Sequence, residues 1–295
     1  MSMDNNKQPS PTTIAQLVDL DKGNAAGGGA KAHVSDGSAS TNQNEKINLL
    51  DRLKAANMLV PGSDLGQEIH DDYRRIKRPL VSNAVGRNKS LVNRGNLILV
   101  TSAVPGEGKS YTAINLALSI ALELDTTVLL MDCDVAKQGV SRALGLEGVK
   151  GLVDVLENDD LHLGDVIFHT DIPKLRVISA GRHNEYVTEL LASHRMADLF
   201  NEISNRYSDR IIICDAPPLL PTPQTQTLAG LVGQVVFVVE AGKTPQALVE
   251  EALQLIPEEQ AVGIVMNKHE GLTKHSGTYG YYAEEETPEK NGKKR

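Results

Sequence analysis

The length and composition of the chain limit what it can be. It has 295 residues, 40% hydrophobic and 23% charged, which fits one globular domain of about 200–250 residues plus appendages. The formal net charge of −8 argues against nucleic acid as a partner, because binding a phosphate backbone needs clustered positive charge. Aromatic residues make up only 3%, so the core should consist of Ala, Val, Leu and Ile, which is typical of a parallel sheet covered by helices.

Two further features concern membranes and cysteines. No apolar run approaches the roughly 20 residues that cross a bilayer, and the first residues are polar rather than typical of a secretory signal. We therefore expect a soluble, cytoplasmic chain. Cys133 and Cys214 both lie in apolar runs and are predicted to be reduced and buried.

The N-terminal third contains two predicted regions. Residues 1–45 are rich in Asn, Gly, Ser, Ala and Lys, and we expect a disordered arm because so few apolar residues cannot offset the entropy of ordering. Over residues 46–95, apolar residues recur near helical spacing between Ile47 and Val60, and a second helical stretch runs from about Asp64 to Arg78 and is predicted to end at Pro79.

The predicted main domain spans residues 96–270 and alternates strands with helices. Apolar runs predict strands at 97–100, 128–131, 175–179, 211–214, 235–239 and 262–266, with helices near 110–124, 187–205, 222–231 and 245–256. This alternation predicts an α/β fold with a doubly wound, mostly parallel sheet, because parallel neighbours need crossover connections. Residues 271–295 lack any apolar period and are predicted to form a flexible tail.

The strongest local signal is AVPGEGKS at 103–110, between the first strand and the following helix. This order predicts a phosphate-binding loop and a P-loop NTPase fold: backbone N–H groups surround the phosphates, Lys109 adds a positive charge, and Ser110 can ligate Mg²⁺. Ala103 replaces the usual first glycine, a tolerated variant. The residues predicted to bind nucleotide here are Ala103, Val104, Pro105, Gly106, Glu107, Gly108, Lys109, Ser110 and Tyr111.

Carboxylates follow two of the other predicted strands. Asp132 and Asp134 end VLLMDCD, and Asp215 ends IIICD. Because ligands of open parallel sheets lie beyond the carboxyl ends of the strands, these carboxylates should converge on the phosphates held by the loop. Carboxylates beside phosphate oxygens require a cation between them, which predicts Mg²⁺.

Several blocks together resemble a known family over about residues 64–282. These are VTSAVPGEGKSYTAINLALSIA, VLLMDCD, IIICDAPP, VVFVVEAGKT and GIVMNK, in that order. The pattern resembles the bacterial tyrosine autokinases of capsule and exopolysaccharide synthesis, closest to the exosortase-associated kinases, which are related to partition and division-site ATPases. Those ATPases carry a signature lysine where this chain has Val104, so the pattern favours the kinase branch.

The resemblance implies ATP and Mg²⁺ as cofactors and a role for each site residue. Lys109 and Ser110 would hold phosphate and metal, with Asp132 and Asp215 also at the metal. Asp132 or Asp134 would orient or deprotonate the attacking phenol, and which of the two is the base stays open. Asn267 is similar to the family's adenine-side residue.

Two regions outside the nucleotide site also resemble the family. Asp72, Arg75 and Arg78 are spaced by three residues and resemble a motif that joins subunits into a ring, although the same pattern fits an ordinary solvated ion-pair face. Tyr279, Tyr281 and Tyr282 resemble the tail cluster that a neighbouring subunit phosphorylates.

The resemblance also implies partners. Family members without membrane segments depend on the cytoplasmic end of a membrane polysaccharide co-polymerase as activator, which would recruit this chain to the inner face of the membrane, and a phosphotyrosine phosphatase would reverse the modification. The run VAKQG after Asp134 departs from the family's usual basic, proline-containing continuation, which affects the expected activator contact.

Two alternative functions remain compatible with nucleotide binding. A partition- or positioning-type ATPase would carry a lysine at position 104 and a basic or amphipathic surface element, and it would have no need for tail tyrosines. A nucleotide-dependent scaffold would use Mg-ATP only to order an assembly, and would survive loss of chemistry at Asp132 and Asp134.

Overall fold

A computed structural model describes residues 46–60, 67–182, 186–206 and 210–269. The predicted N-terminal arm and the tail tyrosines Tyr279, Tyr281 and Tyr282 lie outside the described residues. Within the described part, no helix is long and apolar enough to cross a membrane.

A seven-stranded sheet forms the centre of the described chain, in the order β3-β4-β2-β5-β1-β6-β7. Its neighbouring strands are parallel except for β3, which pairs antiparallel with β4. This confirms the predicted doubly wound, mostly parallel sheet. The strands are β1 (Leu97–Ser102), β2 (Thr127–Asp132), β3 (Phe168–His169), β4 (Leu175–Ile178), β5 (Arg210–Asp215), β6 (Gln234–Glu240) and β7 (Ala261–Asn267).

Helices cover both faces of this sheet. The two faces carry separate apolar clusters, because successive side chains of each strand point to opposite sides. The α-helices are α1 (Leu50–Ala55), α2 (Gln67–Ala84), α3 (Lys109–Ala121), α4 (Gly139–Leu144), α5 (Leu152–Glu157), α6 (Val187–Leu191), α7 (His194–Arg206), α8 (Pro223–Leu231) and α9 (Gln246–Leu253), and a short 3-10 helix spans Leu163–Val166. Helices α1 to α4 contribute to one cluster and α5 to α9 to the other, so the N-terminal helices share a core with the sheet.

All six predicted strands are present in the structure, and β3 is the one that the sequence missed among the described residues. It contains only two residues, too few for an alternating pattern. The prediction that Cys133 and Cys214 are buried and free is also confirmed.

The helix predictions were less accurate. Helix α2 was predicted to end at Pro79, but it continues to Ala84. Proline removes one backbone hydrogen bond and disfavours a helix interior by about 3 kcal/mol, and burial of Leu80 and Ala84 against the sheet offsets that cost. The single helix predicted over 187–205 is two helices, α6 and α7.

The topology decides where the predicted site lies. Strand β1 has β5 and then β2 on one side, and β6 and then β7 on the other. The loop after β1 is therefore flanked on one side by the residues ending β2 and β5, and on the other by those ending β6 and β7.

Candidate active site

The loop between β1 and α3 has the backbone shape of a phosphate cradle. Gly106 and Gly108 both have φ of +95°, a left-handed conformation that favours glycine. A Cβ at Gly108 would also overlap the side-chain amide nitrogen of Asn267. The loop leads into the N-terminus of the 13-residue helix α3, where free N–H groups and the helix dipole favour an anion.

On the side of β6 and β7, the loop is fastened by a buried carboxylate. Glu107 is only 1% exposed, and its side chain accepts hydrogen bonds from the backbone N–H of Val104 (2.8 Å), the backbone N–H of Glu240 (3.2 Å) and the hydroxyl of Thr244 (2.6 Å). These bonds join the loop to the end of β6 and the turn after it.

Two residues at the end of β7 hold the same loop through its carbonyl groups. The Asn267 side chain donates to the Glu107 carbonyl at 2.8 Å, and Lys268 Nζ donates to the Gly106 carbonyl at 2.5 Å. Lys268 also forms an ion pair with Glu240 at 3.1 Å. Asn267, predicted to lie on the adenine side of the nucleotide, thus lies directly against the loop. The fastening contacts of Glu107 and Lys268 were missed by the sequence reasoning, because they join residues more than 130 positions apart.

On the other side of the loop, the structure brings the predicted polar residues together. Ser110 Oγ donates to Asp215 Oδ2 at 2.5 Å, and Lys109 Nζ lies 4.0 Å from Asp134 Oδ2. Asp132 is the register partner of Asp215 on the neighbouring strand. The residues predicted to contact the phosphates, the metal and the phenol therefore form one cluster, which consists of Lys109, Ser110, Asp132, Asp134 and Asp215.

Asp132 is held by a residue that the sequence reasoning did not identify. The backbone N–H and the hydroxyl of Ser141 both donate to Asp132 Oδ2 at 2.7 Å, and the N–H of Asp134 donates to Oδ1 at 3.1 Å. The Ser141 hydroxyl also accepts a hydrogen bond from the N–H of Ala180 at 2.9 Å. The sequence around Ser141 does not distinguish it from a surface serine, because α4 has only six residues and is too short to show a clear helical pattern of apolar residues.

Burial controls the protonation of these carboxyl groups. It raises the pKa of Asp132 to about 6, although the hydrogen bonds from Ser141 act in the opposite direction. Burial also raises the pKa of Asp215 well above its ordinary range, and the nearby charge of Asp132 adds to this effect. Removing carboxylates from water disfavours their charged form unless a cation is close.

The cluster fits the predicted Mg²⁺. Asp215 Oδ1 is buried and has no hydrogen-bond partner in the described part of the chain, and the surrounding donors are the hard oxygens that Mg²⁺ prefers. The described residues contain no group of three or more His, Cys, Asp or Glu side chains that could hold a metal ion. A nucleotide-bound Mg²⁺ takes only one or two protein carboxylates and completes its shell with phosphate and water.

Tyr111, which was included among the predicted nucleotide-binding residues, donates its hydroxyl to the Asn57 carbonyl at 3.0 Å. It therefore ties α3 to the segment that follows α1. Its predicted contact with the nucleotide stays a prediction.

The predicted assembly residues lie on α2. Arg75 and Asp72 form an ion pair at 3.6 Å, with 70% of the Arg75 side chain exposed. Arg78 is exposed as well. The helix buries Tyr73, Ile76 and Leu80 against the core, which leaves both arginines on its outer surface. Their role in assembly stays a prediction.

The chain is similar in sequence to proteins of known families. The AAA domain family (AAA_31) matches residues 95–250. The chain is 33% identical over 214 residues to the tyrosine-protein kinase YwqD of Bacillus subtilis, covering 72% of this chain and 85% of YwqD. It is also 30% identical over 222 residues to the succinoglycan biosynthesis transport protein ExoP of Rhizobium meliloti, covering 68% of this chain and 27% of ExoP.

Solved structures agree with this placement. The crystal structure of the VpsO kinase domain is similar with a TM-score of 0.57 and 27% identity, covering 68% of this chain and 96% of that domain. Together with the phosphate-binding loop and its carboxylate cluster, these similarities show that the chain belongs to the bacterial tyrosine-protein kinase family, within the AAA_31 group of P-loop proteins.

Proposed function

We propose that this chain is an ATP-dependent protein-tyrosine autokinase that phosphorylates Tyr279, Tyr281 and Tyr282 of a neighbouring copy and thereby regulates exopolysaccharide synthesis and export. The observation that carries this proposal is the cluster of Lys109, Ser110 and three carboxylates beside the phosphate-binding loop in a member of the tyrosine-protein kinase family.

Each site residue would have a separate role in phosphoryl transfer. The loop N–H groups and Lys109 would hold the phosphates, and Ser110 with Asp215 and Asp132 would hold Mg²⁺. The metal would neutralise charge that develops on the phosphate oxygens. The phenol oxygen of the acceptor would attack the γ-phosphorus, ADP would leave, and a carboxylate would take the phenol proton.

Geometry favours Asp134 over Asp132 as the group that faces the phenol. Both oxygens of Asp132 accept hydrogen bonds from Ser141 or from the Asp134 backbone. Asp134 Oδ1 accepts one hydrogen bond, from the Lys137 N–H at 3.2 Å, and its Oδ2 lies 4.0 Å from Lys109 Nζ. Asp134 also borders an open cleft beside Pro105 of the loop. A base must lie within hydrogen-bond reach of the proton that it removes, which supports the residue bordering the cleft.

The proposal includes assembly and partners. Asp72, Arg75 and Arg78 would join copies of the chain into a ring, so that one copy presents its tail to the next. The cytoplasmic end of a membrane polysaccharide co-polymerase would activate the kinase at the inner face of the membrane, and a phosphotyrosine phosphatase would reset the tail. The name of ExoP as a succinoglycan biosynthesis transport protein supports the link to polysaccharide export.

The test is mass spectrometry of the intact chain and of its tryptic peptides after incubation with Mg-ATP, with and without a membrane fraction. We expect phosphate on the tail of the natural chain. Phosphate should be absent from Lys109→Ala and from the variant in which Tyr279, Tyr281 and Tyr282 are all changed to Phe. Steady ATP hydrolysis with an unmodified tail would instead indicate a partition-type ATPase, and ATP binding without either reaction would indicate a scaffold.

A further inference from the structure

The two edges of the central sheet differ in how well they are protected against a further strand. The edge strand β3 has only two residues. The other edge strand, β7, has seven residues, AVGIVMN, without a charged residue or a proline. A long apolar edge strand is a template for pairing, and proteins usually shorten, charge or cover such an edge. Among the described residues, no strand pairs with the outer side of β7.

The backbone of β7 presents hydrogen-bonding groups on that outer side. The Ala261 N–H donates to the Gly233 carbonyl at 3.1 Å, on the side of the parallel neighbour β6. Successive residues of a strand direct their backbone groups to opposite sides. The N–H and C=O groups of Val262, Ile264 and Met266 therefore point away from β6, where an added strand could bind them.

An apolar groove lies beside this edge, between α2 and the sheet. Val265 packs in the same apolar cluster as α2, and Gly263 lies on the same face of β7, because it is two residues away. A Cβ at Gly263 would contact nothing within 4 Å, so the groove has open space above this position. Glycine inside a strand often marks a close approach of another backbone or a ligand. The other residues that line the groove include Ile76, Pro79, Leu80 and Val236.

The tail of the chain has a suitable segment in a suitable place. At Lys268, directly after β7, the chain bends with a left-handed φ of +58°. Residues 278–282 read TYGYY, and Thr and Tyr both favour strands. Residues 268–277 would form the connection. Because so short a connection keeps the segment near its own β7, its effective concentration there exceeds that of a segment from another molecule.

One antiparallel register brings two tyrosines onto the groove. With Tyr281 opposite Gly263, Tyr279 lies opposite Val265 on the same face, because side chains alternate along a strand. Both would be non-hydrogen-bonded pairs, in which side chains of the two strands come closest. The ring of Tyr281 would then cover the open space at Gly263, since an aromatic side chain across the strand pair stabilises a glycine at a sheet edge.

We propose that residues 278–282 bind the open edge of β7 in the same chain as a further antiparallel strand, with Tyr279 and Tyr281 over the groove beside α2. This docking follows from the edge of the sheet and does not depend on the proposed function. Its consequence does rest on that function: the docked tyrosines are withheld from a neighbouring copy. Phosphorylation would release the tail, because a phosphate group disrupts an apolar interface.

Hydrogen exchange of the full chain without nucleotide, followed by mass spectrometry, tests the docking. We expect the amides of residues 278–282 to exchange about tenfold or more slowly in the natural chain than in Ile264→Pro. Proline removes an N–H that points away from β6, so it should block the added strand and spare the pairing with β6. Ile264→Ala is the matched control, because it removes the same side chain but keeps the N–H, and most of the protection should remain.

A second pair of variants leaves β7 unaltered and changes only the tail. Changing Tyr279 and Tyr281 together to Glu places charges against the apolar groove and should abolish the protection of residues 278–282. Changing both to Phe keeps the rings and should preserve it. Exchange in the central strand β1 should be the same in all of these variants, which shows that the sheet remains folded.

The outcomes distinguish the possible occupants of the edge. Equally fast exchange of residues 278–282 in the natural chain and in Ile264→Pro would overturn the docking, and so would full protection after both tyrosines are changed to Glu. Protection that disappears on dilution would overturn docking within one chain and indicate a second copy on β7. Protection of residues 1–45 in place of the tail would overturn it in favour of the N-terminal arm.

A further measurement separates the docking from the proposed kinase function. Ile264→Pro is incubated with Mg-ATP and a membrane fraction, and phosphate on its tail is measured by mass spectrometry. A protected tail in the natural chain, combined with no phosphate on the released tail of Ile264→Pro, would keep the docking and refute the kinase function. Phosphate on an unprotected tail would keep the kinase function and refute the docking.

Discussion

The two sides of the phosphate-binding loop differ in how their polar groups are used. On the side of β6 and β7, the side chains of Glu107, Asn267 and Lys268 form hydrogen bonds with backbone groups of the loop itself. On the side of β2 and β5, Asp215 retains a buried oxygen without a hydrogen-bond partner in the described residues, and burial raises the pKa of Asp132 and Asp215. The first side stabilises the shape of the loop, and the second is where we propose that a cation and the reacting phosphate bind.

The largest effect should follow loss of the charge that faces the carboxylates. Lys109→Met should reduce tail phosphorylation by about 10²-fold or more, because the side chain no longer stabilises charge on the transferring phosphate. The measurement is the initial rate of phosphotyrosine formation with Mg-ATP. The control is Lys243→Ala, which removes an exposed lysine paired with Glu240 on the other side. Equal rates for Lys109→Met and the natural chain would contradict the assignment.

Replacing Asp215, whose Oδ1 has no hydrogen-bond partner among the described residues, should separate stability from ligand binding. Asp215→Asn should raise the Tm of the chain without nucleotide, because it removes a carboxyl group whose ionisation is disfavoured by burial. It should also abolish most of the stabilisation by Mg-ATP, which is about 2.7 kcal/mol at a ligand concentration 100 times the Kd. Differential scanning calorimetry with and without Mg-ATP measures both effects. Asp125→Asn, at an exposed position, is the control, and full Mg-ATP stabilisation in Asp215→Asn would remove Asp215 from the metal site.

Removing the Glu107 contacts on the β6 and β7 side of the loop should destabilise the loop without removing a side chain of the carboxylate cluster. Glu107→Ala leaves three donors without their acceptor, and one unmet buried donor costs about 1–3 kcal/mol. We expect the free energy of unfolding to fall by about 2 kcal/mol or more and ATP affinity to fall with it, measured by urea denaturation and calorimetric titration. Glu258→Ala changes an exposed glutamate and should have little effect. An unchanged stability in Glu107→Ala would show that water replaces these contacts.

The stability of the chain should also depend on pH, through Asp132 on the β2 and β5 side of the loop, and we expect this effect to be smaller than the previous ones. A carboxyl group whose pKa is raised on folding binds more protons when folded, so its contribution to stability falls as the pH rises from its ordinary pKa through its folded pKa. For Asp132 this window runs from about 4 to about 6, and the loss is on the order of 2 kcal/mol. Urea denaturation without Mg²⁺ or nucleotide, at several pH values, measures it.

Ser141→Ala tests what sets the pKa of folded Asp132, which is the upper end of that pH window. It removes a hydrogen bond that lowers the pKa of Asp132, so the window should extend to higher pH. Glu107→Ala acts on the other side of the loop and should leave the window in place. If the contribution of Asp132 to stability rose between pH 4 and pH 6, burial would not be what controls the pKa of its carboxyl group.

The sequence was most informative where local pattern and function coincide. The loop at 103–110 and the apolar strands that precede Asp132 and Asp215 could be read directly, because buried parallel strands form continuous apolar runs and a phosphate loop has a fixed local order. The extent of α2 beyond Pro79 could not be read in this way, because the rule for proline is local whereas burial of Leu80 and Ala84 is a property of the packed core.

The sequence by itself therefore determined the doubly wound sheet, the phosphate-binding loop and the identity of the carboxylates beside it. Only the tertiary structure decided that Glu107 and Lys268 hold one side of the loop, that Ser141 holds Asp132, and that Asp134 borders an open cleft. The physical reason is that strand order brings together residues far apart in the chain. Hydrogen bonds and burial at such meeting points leave no local pattern in the sequence.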